Sequence, residues 1–199
     1  KTKTRAGEIQ SGLRCGIEVH QQLATKTKLF CRWPVTRSED LPLIIRRKLR
    51  PVASELGALD PAAQYEYLRD RNFIYRANAE SSCLVELDDD PPKSLNSEAL
   101  EIAIQVCKLL DCDIVNELYV MRKTVIDGSA VSGFQRTVLV GMNGSLDTSL
   151  GKVGIGTVCL EEDSGTKISE QSNTIEYRID RLGIPLIEIA TGSDIKTPQ

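Results

Sequence analysis

Apolar and polar residues alternate along much of this chain, which predicts a fold built mainly from strands. In residues 12–23 the two sides of the alternation are Leu13, Cys15, Ile17 and Val19 against Arg14, Gly16, Glu18 and His20. A period of two is typical of a half-buried strand, so we expect Ile17 and Val19 to face the core. Further apolar segments predict strands at 73–75, 83–87, 114–121, 134–141, 152–160, 174–180 and 185–190.

Two segments predict helices instead. Between 97 and 110, apolar residues recur at helical spacing and form one face: Leu100, Ala103, Ile104, Cys107 and Leu110. Asp60 followed by Pro61 predicts a short helix to about Arg69, because aspartate caps free N–H groups and proline suits the first turn. The proline-containing residues 32–58 are expected to be irregular. Few helices among many short strands predict an α+β fold with a mainly antiparallel sheet, and we expect residues 1–199 to form a single domain.

Composition changes this picture little. The 199 residues are 41% hydrophobic and 27% charged, and the net charge of −3 is too weak to indicate a polyanionic partner by itself. No apolar run approaches the roughly 18 residues of a membrane span. The basic stretch Arg46–Arg50 is interpreted as a solvated face, with a nucleic-acid contact as the alternative. We expect a soluble, cytoplasmic protein.

The six cysteines include no Cys-x-x-Cys pair. This pattern is typical of reduced, mostly buried thiols in a cytoplasmic protein, and a zinc site would need closer clustering. We therefore expect no zinc.

The two ends of the sequence predict a fragment of a longer protein. The chain begins with Lys1 rather than methionine. Thr197 followed by Pro198 is a strong helix-start signal, yet the sequence stops at Gln199.

The only histidine, His20, lies two residues after Glu18. On a strand these side chains project from the same face, roughly 7 Å apart, so both can converge on one bound ion. A structural role for the histidine is the alternative.

Carboxylates also interrupt two apolar segments. In Val158–Asp163, Glu162 alternates with Val158 and Leu160, whereas Glu161 lies on the side of Cys159. Glu188 stands alone in an apolar stretch, and a buried carboxylate is costly unless it is paired, hydrogen-bonded or bound to a metal. A salt bridge from Glu188 to Arg178 or Arg181 is as compatible with this pattern as metal ligation.

The sequence lacks the usual nucleotide-binding loops. It contains no Gly-x-x-x-x-Gly-Lys-Ser/Thr motif, and residues 154–159 lack the third glycine of a dinucleotide fingerprint. No Gly-x-Ser-x-Gly elbow supports a serine triad either. Any ATP chemistry must therefore rely on a metal and on basic side chains.

Several long segments together resemble the GatB/GatE family of tRNA-dependent amidotransferases. They are Gly16–Leu23 followed by Thr25–Cys31, Cys159–Asp163, and Asp180–Ile189; the stretches 54–57, 83–86 with 91–92, 121–129 and 133–137 are closer to its archaeal branch. The resemblance covers nearly the whole chain.

The resemblance implies a cradle-shaped catalytic domain, mainly of antiparallel sheet. Family members use ATP to phosphorylate the side-chain carboxylate of glutamate that is attached to the glutamine tRNA. Ammonia then displaces phosphate and leaves glutaminyl-tRNA. A separate glutaminase- or asparaginase-type amidase partner, the D subunit in the archaeal branch, supplies the ammonia, which implies a hetero-oligomer.

The resemblance also implies site residues. The metal ligands fall on Glu18, His20, Glu162 and Glu188, and this donor set is compatible with Mg²⁺ or Mn²⁺. Arg122 and Lys123 are the implied contacts to phosphate, with a surface role as the alternative, and Glu161 and Asp163 are implied to support the ligands or an ammonia path. Two rival functions remain open: a non-catalytic scaffold that binds metal or a partner, and a metal-dependent hydrolase.

Overall fold

The computed structural model describes residues 12–54 and 56–196 and contains, within those residues, two helices and two sheets. In chain order the elements are β1 (Glu18–Gln22), β2 (Leu43–Arg47), α1 (Pro61–Leu68), β3 (Asn72–Ala77), α2 (Ser97–Leu109), β4 (Asp113–Ile114), β5 (Val120–Thr124), β6 (Phe134–Thr148), β7 (Gly151–Glu162), β8 (Thr166–Gln171), β9 (Thr174–Arg178) and β10 (Pro185–Thr191). The predicted α+β class is confirmed.

The larger sheet has six strands and is antiparallel throughout. Its order is β1-β10-β7-β6-β4, and β5 also pairs with β6. The strand β10 follows all the other described strands in the sequence, yet it lies between β1 and β7. This position brings together segments that are far apart along the chain.

Helix α2 covers one face of this sheet. Its buried residues Ala99, Ala103 and Cys107 pack in one core with Val138, Val140, Val158, Leu160 and Ile187. Asn96 caps the helix by accepting a hydrogen bond from the backbone N–H of Ala99. The prediction for 97–110 is confirmed to within one residue, and Cys107 is a core residue as expected.

The smaller sheet has the order β2-β3-β9-β8, with β3 and β9 parallel. Its core includes Phe73, Tyr75 and Tyr177. The Tyr75 hydroxyl donates to the carbonyl of Gly128 at 2.8 Å. Gly128 has φ +89°, and a Cβ built on it would lie 2.1 Å from Cε1 of Phe73, so this turn needs glycine.

Some predicted strands are wrong. Residues 83–87 form a turn, because the backbone N–H of Cys83 donates to Glu86 Oε2 at 2.7 Å and Leu87 N–H donates to the Cys83 carbonyl at 3.3 Å. The segment 114–121 is divided between β4 and β5, and β2 interrupts the region expected to be irregular. The short helix after Asp60 is confirmed as α1.

The expectation that Ile17 and Val19 face the core is also wrong. Their exposed fractions are 50% and 48%. Val19 lies on β1 at the edge of the larger sheet, whereas α2 packs against β6 and β7. The alternation correctly predicted a strand, but the helix does not extend over its apolar side.

Thr197 and Pro198, on which the expected helix start rests, lie outside the described residues. Among the described helices, none is long and apolar enough to cross a membrane.

Candidate functional site

Strands β1, β10 and β7 bring His20, Glu188 and Glu161 onto the face of the larger sheet opposite α2. His20 is the register partner of Glu188, and Glu188 is the register partner of Cys159, two residues before Glu161. The neighbouring residues Leu160 and Ile187 point into the core beneath α2. Since successive side chains alternate between faces, Glu161 and Glu188 lie on the open side.

These three side chains form the group that we call the His20 cluster. His20 Nε2 lies 3.0 Å from Glu188 Oε2 and 4.0 Å from Glu161 Oε2. One donor atom from each residue lies within 4.8 Å of the other two. The His20 side chain is 42% exposed and the Glu161 side chain only 1%. The cluster is therefore open on the histidine side and closed at its acidic base.

Only one of the two carboxylate oxygens of Glu161 is hydrogen-bonded. Oε1 accepts hydrogen bonds from Lys123 Nζ at 2.7 Å and from the Thr137 hydroxyl at 2.9 Å. Oε2 is buried and has no hydrogen-bond partner among the described residues. A buried polar atom without a partner costs about 1–3 kcal/mol, so this oxygen is suited to a cation that would satisfy it.

Lys123 is the cation beside this cluster. Its Nζ also lies 3.6 Å from Glu188 Oε2. Partial burial opposes the charged form, but the hydrogen bond to Glu161 and the charges of Glu161 and Glu188 outweigh burial and raise the pKa of Lys123 above its ordinary value. Two carboxylates face this one ammonium, an acidic balance that favours binding of a further cation.

Cys159 borders the same cluster. Burial, followed by the charges of Glu188 and Glu161, raises the pKa of this thiol to about 11. The site therefore contains a neutral thiol at neutral pH.

Glu162 does not join the cluster, contrary to the ligand set implied by the resemblance. It lies on the α2 face, where Arg136 Nη1 donates to its Oε1 at 2.9 Å and its Oε2 at 3.1 Å. Burial raises the pKa of Glu162 and the Arg136 charge opposes that rise. Glu161 takes the place predicted for Glu162. The alternation with Val158 and Leu160 was the signal that could have identified this, because those residues form the core.

Glu18 and Arg122 are also outside the His20 cluster. Glu18 is exposed on the same strand face as His20, opposite Ala190 in the register, but its carboxylate is not one of the grouped donors. Arg122 lies beside Arg136 in the register, on the other face from Lys123, and its guanidinium stacks 5.6 Å from the ring centre of Phe134. Of the two predicted phosphate contacts, the structure brings only Lys123 to the cluster.

The two arginines considered as partners of Glu188 bind other carboxylates. Arg178 binds Asp180 at 2.9 Å, and Arg181 binds Asp163 at 2.6 Å. Asp163 also accepts a hydrogen bond from the side-chain amide of Gln22, two residues after His20. Asp163 therefore connects the end of β1 to the loop before β10.

Known proteins match nearly the whole of this chain. The GatB/GatE catalytic domain family matches residues 13–199. The E subunit of glutamyl-tRNA(Gln) amidotransferase from Methanopyrus kandleri is 54% identical over 192 residues, and the E subunits from Methanocaldococcus jannaschii and Pyrococcus furiosus are each 50% identical, over 189 and 188 residues. Each match covers 94% of this chain and 30% of the relative, so the chain spans about a third of the length of these relatives. The long match, at this identity and over the residues that form the His20 cluster, shows that the chain belongs to the GatB/GatE catalytic domain family.

Proposed function

We propose that this chain is the catalytic cradle domain of an enzyme that converts Glu-tRNA(Gln) to Gln-tRNA(Gln). In the proposed reaction, a side-chain oxygen of the tRNA-bound glutamate attacks the γ-phosphorus of ATP and ADP leaves. Ammonia then attacks the activated carbonyl carbon, and phosphate leaves. The names of the archaeal relatives support this reaction, and the buried, unpartnered Oε2 of Glu161 beside Lys123 is the structural observation that carries it.

The donors of the His20 cluster fit a divalent cation. Two carboxylates and one imidazole are compatible with Mg²⁺ or Mn²⁺, and the unpartnered Glu161 oxygen is one donor atom that a cation would satisfy. A divalent ion held by His20, Glu161 and Glu188 would neutralise the charge between a carboxylate substrate and a nucleotide phosphate. Glu18 is exposed on the same strand face, but it is not one of these three ligands.

The chain's own residues supply fixed positions and positive charge. Thr137 and Lys123 hold Glu161 Oε1, so its second oxygen stays directed at the cluster. The Lys123 ammonium is half-exposed and is placed to attract phosphoryl oxygens as charge develops on them. Without a bound ion, the 3.0 Å hydrogen bond between His20 Nε2 and Glu188 Oε2 keeps both side chains at the site.

The ammonia would come from a partner amidase, the D subunit in the archaeal branch. We propose a cytoplasmic hetero-oligomer with this partner and with Glu-tRNA(Gln).

The test uses the complete protein assembled with its amidase partner. ATP-dependent phosphate release is measured with Glu-tRNA(Gln), and formation of Gln-tRNA is measured with added ammonium. We expect Glu188→Gln to abolish both activities, whereas Glu176→Gln, a carboxylate of the smaller sheet, leaves them intact. Unchanged rates for Glu188→Gln would refute the metal assignment. If the protein were a non-catalytic scaffold, neither the parent nor the variants would release phosphate. Hydrolysis of simple amides without ATP or tRNA would favour the hydrolase.

A further inference from the structure

The side chain of Arg37 reaches the open face of the larger sheet on the side away from Lys123. Its Nη2 donates to Gln22 Oε1 at 2.7 Å. Gln22 lies two residues after His20 on β1, so these two side chains project from the same face of the sheet. Strand β1 forms one edge of the sheet, whereas Lys123 lies on β5 at the opposite edge. The His20 cluster therefore has a basic side chain on either side of it.

The side-chain amide of Gln22 is fixed from both ends. Its Nε2 donates to Asp163 Oδ2, which leaves its carbonyl oxygen to accept from Arg37. Asp163 is buried and accepts three hydrogen bonds of 2.6 to 2.9 Å from Arg181. An amide between an anion and a cation has one favourable orientation, because only its nitrogen donates and only its oxygen accepts. Gln22 therefore holds the guanidinium of Arg37 at a defined place.

The backbone next to Arg37 is anchored to the smaller sheet through Ser38. The Ser38 N–H donates to Asp180 Oδ2 at 3.3 Å, and its carbonyl accepts from Arg178 Nη2 at 2.7 Å. Its hydroxyl also accepts from Asn78 Nδ2 at 3.2 Å. These partners lie at or just after the ends of β3 and β9. Arg37 thus extends from a fixed backbone, and a cation that is already in place costs little reorganisation when an anion binds.

The charge of Arg37 is not neutralised by a carboxylate of the described residues. Arg181 pairs with Asp163 and Lys123 pairs with Glu161, whereas Arg37 bonds to the neutral amide of Gln22. Arg37 is also exposed, so its other N–H groups are open to a ligand. A guanidinium presents five donors in a planar fork that matches the oxygens of a phosphate.

The distance of Arg37 from the cluster suits a phosphate that is not the reacting group. Gln22, Leu186 and Glu161 are register partners on three adjacent strands, so two strand spacings place Gln22 about 10 Å from Glu161. We propose that Arg37 binds a substrate phosphate while the reacting end of that substrate lies at the His20 cluster. This inference rests on the proposed function, in which both substrates carry such a group. ATP has its α- and β-phosphates, and Glu-tRNA(Gln) has the phosphate of its last nucleotide.

The experiment uses the complete protein in its amidase complex and two probes, a non-hydrolysable ATP analogue with Mg²⁺ and tRNA(Gln). Dissociation constants are measured for the parent, for Arg37→Met and for the matched control Lys152→Met, which removes an exposed cation near the start of β7. We expect Arg37→Met to weaken binding of one probe at least about tenfold, because a charged hydrogen-bonding contact is lost. Lys152→Met should stay within about twofold of the parent.

The probe that is affected identifies the source of the phosphate. If it is tRNA(Gln), the slope of log affinity against log salt concentration should also fall by about one. In turnover with ATP and Glu-tRNA(Gln), Arg37→Met should raise the KM of the same substrate and leave kcat within about twofold, because the contact lies away from the reacting atoms.

If Arg37→Met fails to fold, Arg37→Lys provides the second variant. It keeps the charge but lacks the planar fork, so we expect a loss of about threefold in affinity for the same probe. Unchanged binding of both probes in the variant that folds would overturn the proposal. So would an equal loss in Lys152→Met, a fall in kcat with both KM values unchanged, or a parent complex that binds neither probe. A parent that binds a probe but forms no Gln-tRNA would refute the proposed function, while the dissociation constants would still test Arg37.

Discussion

His20 on β1 and Glu188 on β10 are directly opposite one another in two antiparallel strands, and a 3.0 Å hydrogen bond joins their side chains. The third member of the cluster, Glu161, comes from β7 on the other side of β10. A cross-strand pair is specific to one register, because a slip of one residue moves a side chain to the opposite face. The site therefore depends on the pairing of three strands, the first of which is far from the other two in sequence.

The adjacent residues Glu161 and Glu162 should have separable roles. We expect Glu161→Gln to weaken Mn²⁺ binding by at least about tenfold, because it removes an anionic donor, while the free energy of unfolding changes little. Glu162→Gln should instead destabilise the fold by about 3 kcal/mol, because it leaves the buried Arg136 cation without a charged partner. Calorimetric Mn²⁺ titration and urea unfolding measure the two effects. A reversed pattern would contradict the assignment of faces.

Lys123 and Arg122 provide a second matched pair. Lys123→Met removes a cation that competes for Glu161 and Glu188, so we expect Mn²⁺ affinity to rise by at least about threefold. Phosphate release should nevertheless fall at least about tenfold, because a positive charge near the phosphoryl oxygens is lost. Arg122→Met, on the opposite face, should leave both quantities within about twofold of the parent. Equal effects of the two substitutions would show that Lys123 has no special position.

The reactivity of Cys159 should report the charge at the cluster. Because its pKa is raised to about 11, we expect alkylation by iodoacetamide to be slow at pH 8 and to accelerate as the pH rises towards that value. Glu188→Gln removes one of the charges that raise this pKa, so the rate at pH 9 should increase. Glu170→Gln, on the smaller sheet, is the control. Mass spectrometry of the Cys159 peptide measures the rate, and an unchanged rate in Glu188→Gln would exclude this coupling.

Asp180 should contribute a pH-dependent part of the stability. Burial opposes its ionisation, but the hydrogen bonds and charge of Arg178 outweigh burial and lower the pKa of Asp180. A carboxyl with a lowered pKa in the folded state stabilises that state above its unfolded pKa, about 3.9, and this contribution disappears as the pH falls through the folded pKa. We expect Asp180→Asn to cost about 1–3 kcal/mol at pH 7 and progressively less below pH 4.

The control for Asp180 is Asp147→Asn, at an exposed position of β6. It should change the free energy of unfolding by less than about 0.5 kcal/mol at either pH. Urea unfolding at several pH values measures both variants. A cost for Asp180→Asn that does not depend on pH would contradict the ion-pair explanation.

Gly128 should tolerate no side chain. Gly128→Ala places a methyl group against the Phe73 ring and also strains a backbone with φ +89°, so we expect a loss of at least about 2 kcal/mol. Gly57→Ala is a matched control, because Gly57 has φ +77° but no atom within 4 Å of the added Cβ. It should show the backbone penalty alone, about 1 kcal/mol. Equal losses in thermal unfolding would argue against the contact with Phe73.

The sequence predicted best those elements whose signals are local. Helix α2 has a continuous apolar stripe and a capping asparagine, and α1 has Asp60 before Pro61, so both lie close to their predicted positions. The turn at 83–87 was mistaken for a strand, because its apolar residues face a small buried cluster rather than a sheet. Its conformation depends on the Glu86 side chain, which periodicity does not represent.

The sequence predicted part of the candidate site. His20 was identified because it is the only histidine and shares a strand face with Glu18, and Glu188 because it interrupts an apolar stretch. The sequence pointed to Glu162, but Glu161 lies with His20 and Glu188. Which of the two faces α2 depends on the side of β7 that packs against the helix, and this is decided by tertiary packing. Likewise, Arg122 and Lys123 are adjacent basic residues that the sequence does not distinguish. Because side chains alternate along β5, they project from opposite faces of the sheet.

The interior position of β10 has a consequence for synthesis on the ribosome. The N-terminal end of the chain leaves the ribosome first. Strands β1 and β7 are therefore synthesised before β10, the strand that lies between them in the sheet. During that interval each has a free edge that can pair with another nascent chain. The ribosome must therefore synthesise Pro185–Thr191 before β1 can pair with β10.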